Sequence, residues 1–222
     1  MNSEFIKSSV AEIINSLPSH VMLVAAAKTR SAEEVQAAVN GGISVLGYNY
    51  VQEAEKIHEV IGDHVKWHMI GHLQKNKAKK AVALFDMIET VDSLKLAKLL
   101  NKECKKQNKT MTVLIEINIA KEDQKSGILP ENTLELAREM SSLTHLKLCG
   151  LMTMGPFWAD SEQLRMYFRE TKSIFDQIKN EHIPNVEMQY LSMGMSDSYK
   201  IAIEEGANIV RIGTKLFGKR NY

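Results

Sequence analysis

The chain has 222 residues, with 28 basic and 27 acidic side chains that leave a formal net charge of +1. This length can bury one barrel-sized core, and the near-neutral charge excludes a strong field that would draw the chain to nucleic acid or an anionic membrane. Cys104 and Cys149 lie far apart without a CxxC pair, which predicts two idle thiols and neither a disulfide framework nor a structural zinc site.

The N-terminal segment contains Glu4 and Glu12 and has no long apolar run. These features match neither a signal peptide nor a membrane span, so we expect a cytoplasmic protein. Residues 1–18 instead predict an extra helix ahead of the main fold, and one domain over residues 1–222 is the expected organisation.

An apolar run followed by an amphipathic stretch is the repeating theme of the chain. Val21 to Ala27 is typical of a fully buried parallel strand. The next stretch predicts a helix that begins at Ser31, where Glu34 completes a capping box, and ends at Gly41-Gly42. The eight strands that this alternation predicts are 21–27, 43–47, 66–71, 86–91, 111–119, 146–152, 186–192 and 207–213.

Strands that alternate with helices imply right-handed crossovers and a parallel sheet. Eight such units in so short a chain favour a single (β/α)8 TIM barrel, although spacing alone leaves a doubly wound sheet open. We expect the extra helix at residues 1–18 to cover the N-terminal face of this barrel.

Lys28 ends the first predicted strand, and in such barrels functional groups collect at the C-terminal ends of strands. Desolvation disfavours an ammonium group, so an amine at this position is available as a nucleophile and suits imine formation with an aldehyde. The alternative is a lysine that simply extends from the strand end to water.

The loop at residues 191–196 follows the seventh strand, close to where barrels commonly bind phosphate. Gly194 permits close approach of the backbone to a ligand. Ser196 is predicted to cap a helix over residues 197–205, whose first amides and positive dipole end would face an anion.

The loop at residues 211–218 follows the eighth strand, and Gly213 and Thr214 offer a bare amide and a hydroxyl. Either loop alone could be an ordinary turn, but two such loops at this position predict a phosphate site. Arg211 lies inside the last strand, where an arginine requires an acceptor. A ligand and a structural ion pair with Glu116 are both open as that acceptor.

His68 and His72 stand four residues apart, a spacing that suits metal binding on a helix. Their segment instead reads as a strand with a glycine break and lacks an HExxH motif, so no metal site is predicted. His72 is expected to hydrogen-bond near the barrel mouth. The basic run at residues 75–80 has no interleaved aromatic residues, which favours a solvated helix face over nucleic-acid binding.

From about residue 21 to the C-terminus, the chain resembles the pyridoxal-phosphate homeostasis proteins of the YggS/PROSC family. The strings that carry the resemblance are VAAAKTR, GYNYVQEA, WHMIGHLQKNK, VDSLKLA, KSG at 125–127, GLMTM, LSMGMS and VRIGTKLFG. The resemblance implies a monomer or weak dimer that binds pyridoxal 5'-phosphate (PLP). It also implies a barrel similar to the N-terminal domain of alanine racemase.

The resemblance further implies a role for each matching residue. It places the covalent aldimine of PLP on Lys28, the ring beside Asn49 and the pyridine nitrogen opposite Arg211. The residues implied for the phosphate pocket are Ser192, Met193, Ser196, Gly213 and Thr214. The chain departs from the family pattern at Tyr48, where glutamate is usual, and at Ala27, where a small hydroxyl residue is usual.

The family implies a function in vitamin B6 homeostasis, in which the protein stores, shields or delivers PLP, with PLP-requiring apo-enzymes as partners. An arginine at the pyridine nitrogen disfavours protonation of that nitrogen and so weakens the ring as an electron sink. We therefore expect a carrier and not an enzyme. The alternative is a PLP-dependent racemase of low activity, or a Schiff-base enzyme that acts on a phosphorylated substrate.

Overall fold

The eight apolar runs form one closed barrel of parallel strands in the computed structural model, which describes residues 3–156 and 159–219. Each strand pairs with its neighbours in chain order, and β8 closes the ring against β1. The strands are β1 Met22–Ala26, β2 Val45–Tyr48, β3 Lys66–Met69, β4 Met87–Val91, β5 Met111–Ile117, β6 Leu146–Thr153, β7 Val186–Ser192 and β8 Ile209–Ile212. The predicted (β/α)8 barrel is confirmed, and the doubly wound alternative is excluded.

Helices cover the outside of the barrel and connect its strands. The first connecting helix begins with the predicted capping box, because Ser31 Oγ accepts the Glu34 N–H at 3.3 Å while the Glu34 carboxylate accepts the Ser31 N–H at 3.0 Å. The α-helices of the described residues are α1 Ser3–Ser16, α2 Ala32–Asn40, α3 Val51–Ile61, α4 Ala78–Leu84, α5 Leu94–Lys106, α6 Thr133–Met140, α7 Ser161–Asn180, α8 Tyr199–Glu204 and α9 Thr214–Phe217.

Helix α1 lies in the outer ring, where it packs against α2 and α9 and buries Ile6, Val10 and Ile13. The prediction that it covers the N-terminal face of the barrel is therefore wrong. The physical reason lies at the other end of the chain. Helix α9, which follows β8, has only four residues, so α1 fills the place of a full eighth helix.

Side chains of the strands alternate between the barrel interior and the layer beneath the helices. The apolar residues that fill the interior are Val24, Val45, Ile70, Met87, Leu114, Cys149, Met152 and Ile209. Cys104 and Cys149 are both buried free thiols, and burial raises the pKa of each to about 11. Both thiols are therefore protonated and unreactive near neutral pH.

Helix α7 is the longest helix, with twenty residues, but charged side chains are spread along it. Within residues 3–156 and 159–219, no helix combines the length and the apolar character required to cross a membrane.

Candidate functional site

The predicted site residues lie at the C-terminal ends of four neighbouring strands, on one side of the barrel mouth. Lys28 follows β1, Asn49 follows β2, and the remaining residues belong to the ends of β7 and β8. Because β1 pairs with both β2 and β8, and β8 pairs with β7, barrel closure brings these strand ends together. Residues that are far apart in the sequence thus share one region of the mouth.

The loop that carries Lys28 is fixed from two sides. Lys28 itself is half-buried, and Thr29 has a φ of 65°, a left-handed conformation that is strained for a β-branched residue. The Thr29 N–H donates to Glu53 Oε2 at 3.3 Å, and Arg30 Nη2 donates to the Gly218 carbonyl at 2.5 Å. The side chain of Lys28 therefore starts from a backbone anchored to α3 and to the segment after α9.

Asn49 is half-buried at the end of β2, directly against the end of β3. A Cβ at Gly71 would lie 2.6 Å from Asn49 Cα, so only glycine lets the two strand ends approach this closely. The Gly71 carbonyl is in turn held by the Thr90 hydroxyl at 2.8 Å. This packing fixes the backbone of Asn49 at the mouth.

The loops after β7 and β8 are joined through Ser196, whose Oγ accepts the N–H groups of Gly213 and Lys215, both at 3.4 Å. Gly194 has a φ of 92° and its carbonyl accepts the Arg211 N–H at 3.0 Å. Met193 is buried beside it, and Thr214 is exposed at the start of α9. We call residues 193–196 with residues 213 and 214 the loop cradle.

The prediction that Ser196 caps a helix over residues 197–205 is wrong. Helix α8 spans Tyr199–Glu204, and Ser198 is the residue before it. A turn at residues 195–198 delays the helix, because the Met195 N–H donates to Ser198 Oγ and the Ser198 N–H donates to the Met195 carbonyl, both at 3.0 Å. The hydroxyl of Ser196 is left to bind the amides of the β8 loop.

Inside the barrel, four polar side chains form a continuous chain of hydrogen bonds, which we call the interior network. His68 Nδ1 lies 2.7 Å from Glu89 Oε1, and Ser192 Oγ donates to Glu89 Oε2 at 2.6 Å. Arg211 Nη1 donates to Ser192 Oγ at 2.6 Å, and its Nη2 donates to the Thr153 carbonyl at 2.8 Å. Ser192 thus ends β7 inside the barrel, with its hydroxyl bound to both Glu89 and Arg211.

The carboxyl of Glu89 is ionised despite complete burial. Burial alone raises its pKa, but the hydrogen bond and charge of His68, the charge of Arg211 and the Ser192 hydroxyl together keep that pKa below its usual value. Burial also lowers the pKa of Arg211, opposed by the nearby carboxylates, and a guanidinium stays protonated in proteins. The interior network therefore contains an ionised carboxylate, Glu89, and a guanidinium, Arg211.

Glu116 lies in the same interior, and its Oε2 is buried without a hydrogen-bond partner in the described structure. Burial raises the pKa of this carboxyl to about 7, with a further contribution from Asp92 and an opposing one from Arg211. Among the described residues, Arg211 forms no direct ion pair with Glu116 or any other carboxylate. The acceptors of Arg211 are Ser192 and Thr153 instead.

Tyr48, the main departure from the family pattern, faces the outer layer and not the mouth. Its ring stacks on Trp67 with the ring centroids 5.7 Å apart, and only 1% of the residue is exposed. Its hydroxyl has no hydrogen-bond partner among the described residues, and burial raises its pKa far above the usual value. The residue therefore supports β2 from the layer beneath the helices.

His72 is exposed near the mouth, where its Nδ1 lies 3.4 Å from Asp92 Oδ2. His68 is committed to the interior network, so the two histidines do not share a ligand. Over residues 3–156 and 159–219, no cluster of three or more His, Cys, Asp or Glu side chains could hold a metal ion. In the basic run, Lys80 pairs with Glu55 on α3 at 2.8 Å.

Comparisons with known proteins agree on one family. The profile of the alanine racemase N-terminal domain family matches residues 3–221. A pyridoxal phosphate homeostasis protein of Aquifex aeolicus is 42% identical over 201 residues, which cover 90% of this chain and 87% of the relative. This chain belongs to the pyridoxal phosphate homeostasis protein family. A member from Schizosaccharomyces pombe is 35% identical over 222 residues, covering 98% of this chain and 91% of the relative.

Solved structures match the family assignment. PipY of Synechococcus elongatus has a TM-score of 0.92 without PLP and 0.89 with PLP bound; both chains are 30% identical and cover 96% of this chain and 100% of their own length. Alanine racemase of Clostridium difficile has a TM-score of 0.81 at 16% identity, over 99% of this chain and 58% of the racemase. That second likeness shows the fold alone.

The sequence interpretation missed Glu89 altogether, assigned His68 no partner and considered Glu116 only as a partner of Arg211. A signal was available, because each lies two residues from an apolar residue of the barrel interior: Ile70, Met87 and Leu114. A period of two places such residues on the same face of a strand. Ionisable residues in apolar strands at that spacing therefore indicate side chains that point into the barrel.

Proposed function

We propose that this chain acts in PLP homeostasis as a carrier that holds PLP in Schiff-base linkage to Lys28. The observation that carries the proposal is the contact between Gly213 and β1, where a Cβ on Gly213 would lie 3.2 Å from the Ala26 carbonyl. The loop cradle is therefore adjacent to the strand end from which Lys28 extends. A ligand with both an aldehyde and a phosphate suits that pairing.

The chain's own residues fit this group. The Ser196 and Thr214 hydroxyls are proposed to bind the phosphate. The Gly213 amide, which donates to Ser196 Oγ at 3.4 Å in this structure, is proposed to turn to the phosphate when PLP binds. Ser192 and Met193 are proposed to complete the wall of that pocket. Asn49 is proposed to lie beside the ring. Arg211 is proposed to face the pyridine nitrogen. When bound, PLP supplies a reactive aldehyde and an electron-accepting ring.

A carrier is favoured over an enzyme for two reasons. Relatives over most of this chain are named as homeostasis proteins. A positive guanidinium opposite the pyridine nitrogen disfavours protonation of that nitrogen and weakens the ring as an electron sink. We further propose a cytoplasmic protein, monomeric or weakly dimeric, that delivers PLP to PLP-requiring apo-enzymes.

The test is to load the purified protein with PLP, record the visible absorbance, reduce with borohydride and map the modified peptide by mass spectrometry. We expect one equivalent of PLP on Lys28. Lys28→Ala should abolish the band, whereas Lys125→Ala, at another half-buried lysine of the loops after the strands, should retain both the band and the label on Lys28. An unmodified Lys28 in the wild-type protein would refute the proposal.

The same preparation separates a carrier from an enzyme. Racemisation and transamination of amino acids are measured with the PLP-loaded protein and with Lys28→Ala. We expect no turnover above the level of free PLP. Appreciable turnover that is lost in Lys28→Ala would contradict the carrier and favour a PLP-dependent enzyme.

A further inference from the structure

Glu89 on β4 is a fully buried carboxylate that reaches Arg211 through a single hydroxyl. Its Oε2 accepts from Ser192 Oγ at 2.6 Å, and the same Ser192 Oγ accepts from Arg211 Nη1 at 2.6 Å. Its Oε1 lies 2.7 Å from His68 Nδ1. One carboxylate therefore connects β3, β7 and β8 inside the barrel.

The direction of the bonds in this chain follows from the donors available. A serine hydroxyl has one proton and two acceptor lone pairs. A carboxylate only accepts, so the Ser192 proton points to Glu89, and a lone pair of Ser192 is left for the guanidinium of Arg211. Because Glu89 is ionised and accepts the Ser192 proton, Ser192 acts as an acceptor toward Arg211.

Arg211 also requires a counter-charge, because only 3% of it is exposed. No described carboxylate lies within ion-pair distance of it, and its hydrogen bonds go to two neutral oxygens, Ser192 Oγ and the Thr153 carbonyl. Glu89 is the anion hydrogen-bonded to the same hydroxyl. Two N–H groups of the guanidinium are consequently held by hydrogen bonds. Its charge is balanced by Glu89 through one intervening oxygen, Ser192 Oγ.

We propose that Glu89 is a positioning residue for the cofactor site. Acting through Ser192, it fixes the orientation and the charge balance of the guanidinium that faces the pyridine nitrogen, while His68 holds the second oxygen of the carboxylate. This inference rests on the proposed function, because the role of Arg211 toward PLP is part of that proposal.

The primary test is Glu89→Gln, which keeps the shape and removes the charge. A carboxamide in this position can accept from Ser192 through its oxygen or donate to it through its NH2 group, but it carries no charge. The charge of Arg211 is then uncompensated and disfavours protonation of the nearby Schiff-base nitrogen. In PLP-loaded protein we expect the pH midpoint of the visible band to fall by about one unit and PLP retention on dialysis to weaken about tenfold, with Lys28 still labelled.

Two further variants make the test specific. Ser192→Ala breaks the link between Glu89 and Arg211 and should shift the midpoint in the same direction; it also carries the test if Glu89→Gln does not fold. Glu103→Gln removes a carboxylate that is also buried but belongs to α5, where it pairs with Lys106 at 2.6 Å. This control should leave the midpoint and the retention of PLP unchanged.

A double-mutant cycle then separates positioning from a merely structural effect. If Glu89 acts through Arg211, Glu89→Gln should add no further shift to the Arg211→Gln protein, in which no guanidinium charge is left to balance. A full additional shift in that background would overturn the inference, as would a lowered melting temperature of Glu89→Gln with a wild-type midpoint. A wild-type protein that fails to label Lys28 would refute the proposed function, and this inference with it.

Discussion

The loop cradle and the interior network lie at the same end of the barrel but are built in different ways. The cradle depends on backbone conformation, with Gly194 in a left-handed conformation and Ser196 bound to the amides of the neighbouring loop. The interior network depends on ionised side chains, with Glu89 and Arg211 linked through Ser192. The cradle should therefore be sensitive to added volume, whereas the interior should be sensitive to charge and pH.

The largest effect is expected from Gly194→Ala, which would break the cradle. The new Cβ would lie 2.6 Å from Ala202 Cβ and 2.9 Å from Tyr199 Cα, at a φ of 92°. Left-handed strain and overpacking together should lower the free energy of unfolding by about 4 kcal/mol. Urea denaturation of the cofactor-free protein, followed by circular dichroism, measures this loss.

Gly206→Ala is the matched control for this substitution. Gly206 has a φ of 95°, but a Cβ there would meet only the flexible side chain of Lys172, at 3.1 Å. It should cost about 1 kcal/mol, since only the backbone strain remains. Equal losses of stability for the two alanine variants would show that the cradle is not tightly packed. The expectation that the cradle is sensitive to added volume would then be wrong.

Charge in the interior is tested next by Glu116→Gln. Burial raises the pKa of Glu116 from 4.5 to about 7, with Asp92 adding to the rise and Arg211 opposing it. The folded protein therefore keeps a proton that the unfolded chain loses above about pH 4.5. Glu116 makes the wild-type protein progressively less stable as the pH rises from about 4.5 to about 7, and has no further effect above that.

Glutamine does not titrate, so the stability of Glu116→Gln relative to the wild type should increase by about 3 kcal/mol between pH 4.5 and pH 8. Urea denaturation of both proteins at several pH values measures this difference, in which the contributions of groups that do not interact with Glu116 cancel. A difference that stays constant with pH would mean that Glu116 has an ordinary pKa. The unpaired Oε2 atom of Glu116 would then not distinguish the barrel interior from the rest of the protein.

Local patterns in the sequence were sufficient to predict the eight strands, the start of α2 and the position of Lys28 at a strand end. Apolar runs bounded by polar residues predicted all eight strands, and the capping box at Ser31 predicted the start of α2. These features depend on residues a few positions apart, so the physics that determines them is visible in the chain itself. Strand ends then followed from the fold class, which explains why Lys28 could be placed at the mouth.

Contacts between distant segments could not be predicted in the same way. Glu89 binds Ser192 across 103 positions of sequence, and the bond exists only because barrel closure turns both side chains inward. The hydroxyl of Ser196 had two available uses, capping α8 or binding the β8 loop, and the turn at residues 195–198 decided between them. The placement of α1 likewise depended on the shortness of α9.

The smallest effect is expected outside both regions, at Tyr48, and it sharpens what is special about the interior. Tyr48 and Glu116 each bury an oxygen without a partner in the described structure, but Tyr48 is in the outer layer against Trp67. Removing such a hydroxyl relieves an unsatisfied group, so Tyr48→Phe should be neutral or stabilising by up to about 1 kcal/mol, with no dependence on pH below 8.

Thr90→Val is the matched control, because the Thr90 hydroxyl is buried and donates to the Gly71 carbonyl at 2.8 Å; it should destabilise by about 1–2 kcal/mol. A loss above about 1 kcal/mol for Tyr48→Phe would show that its hydroxyl does have a partner. Of the two oxygens compared, only Glu116 Oε2 in the barrel interior would then be unpaired.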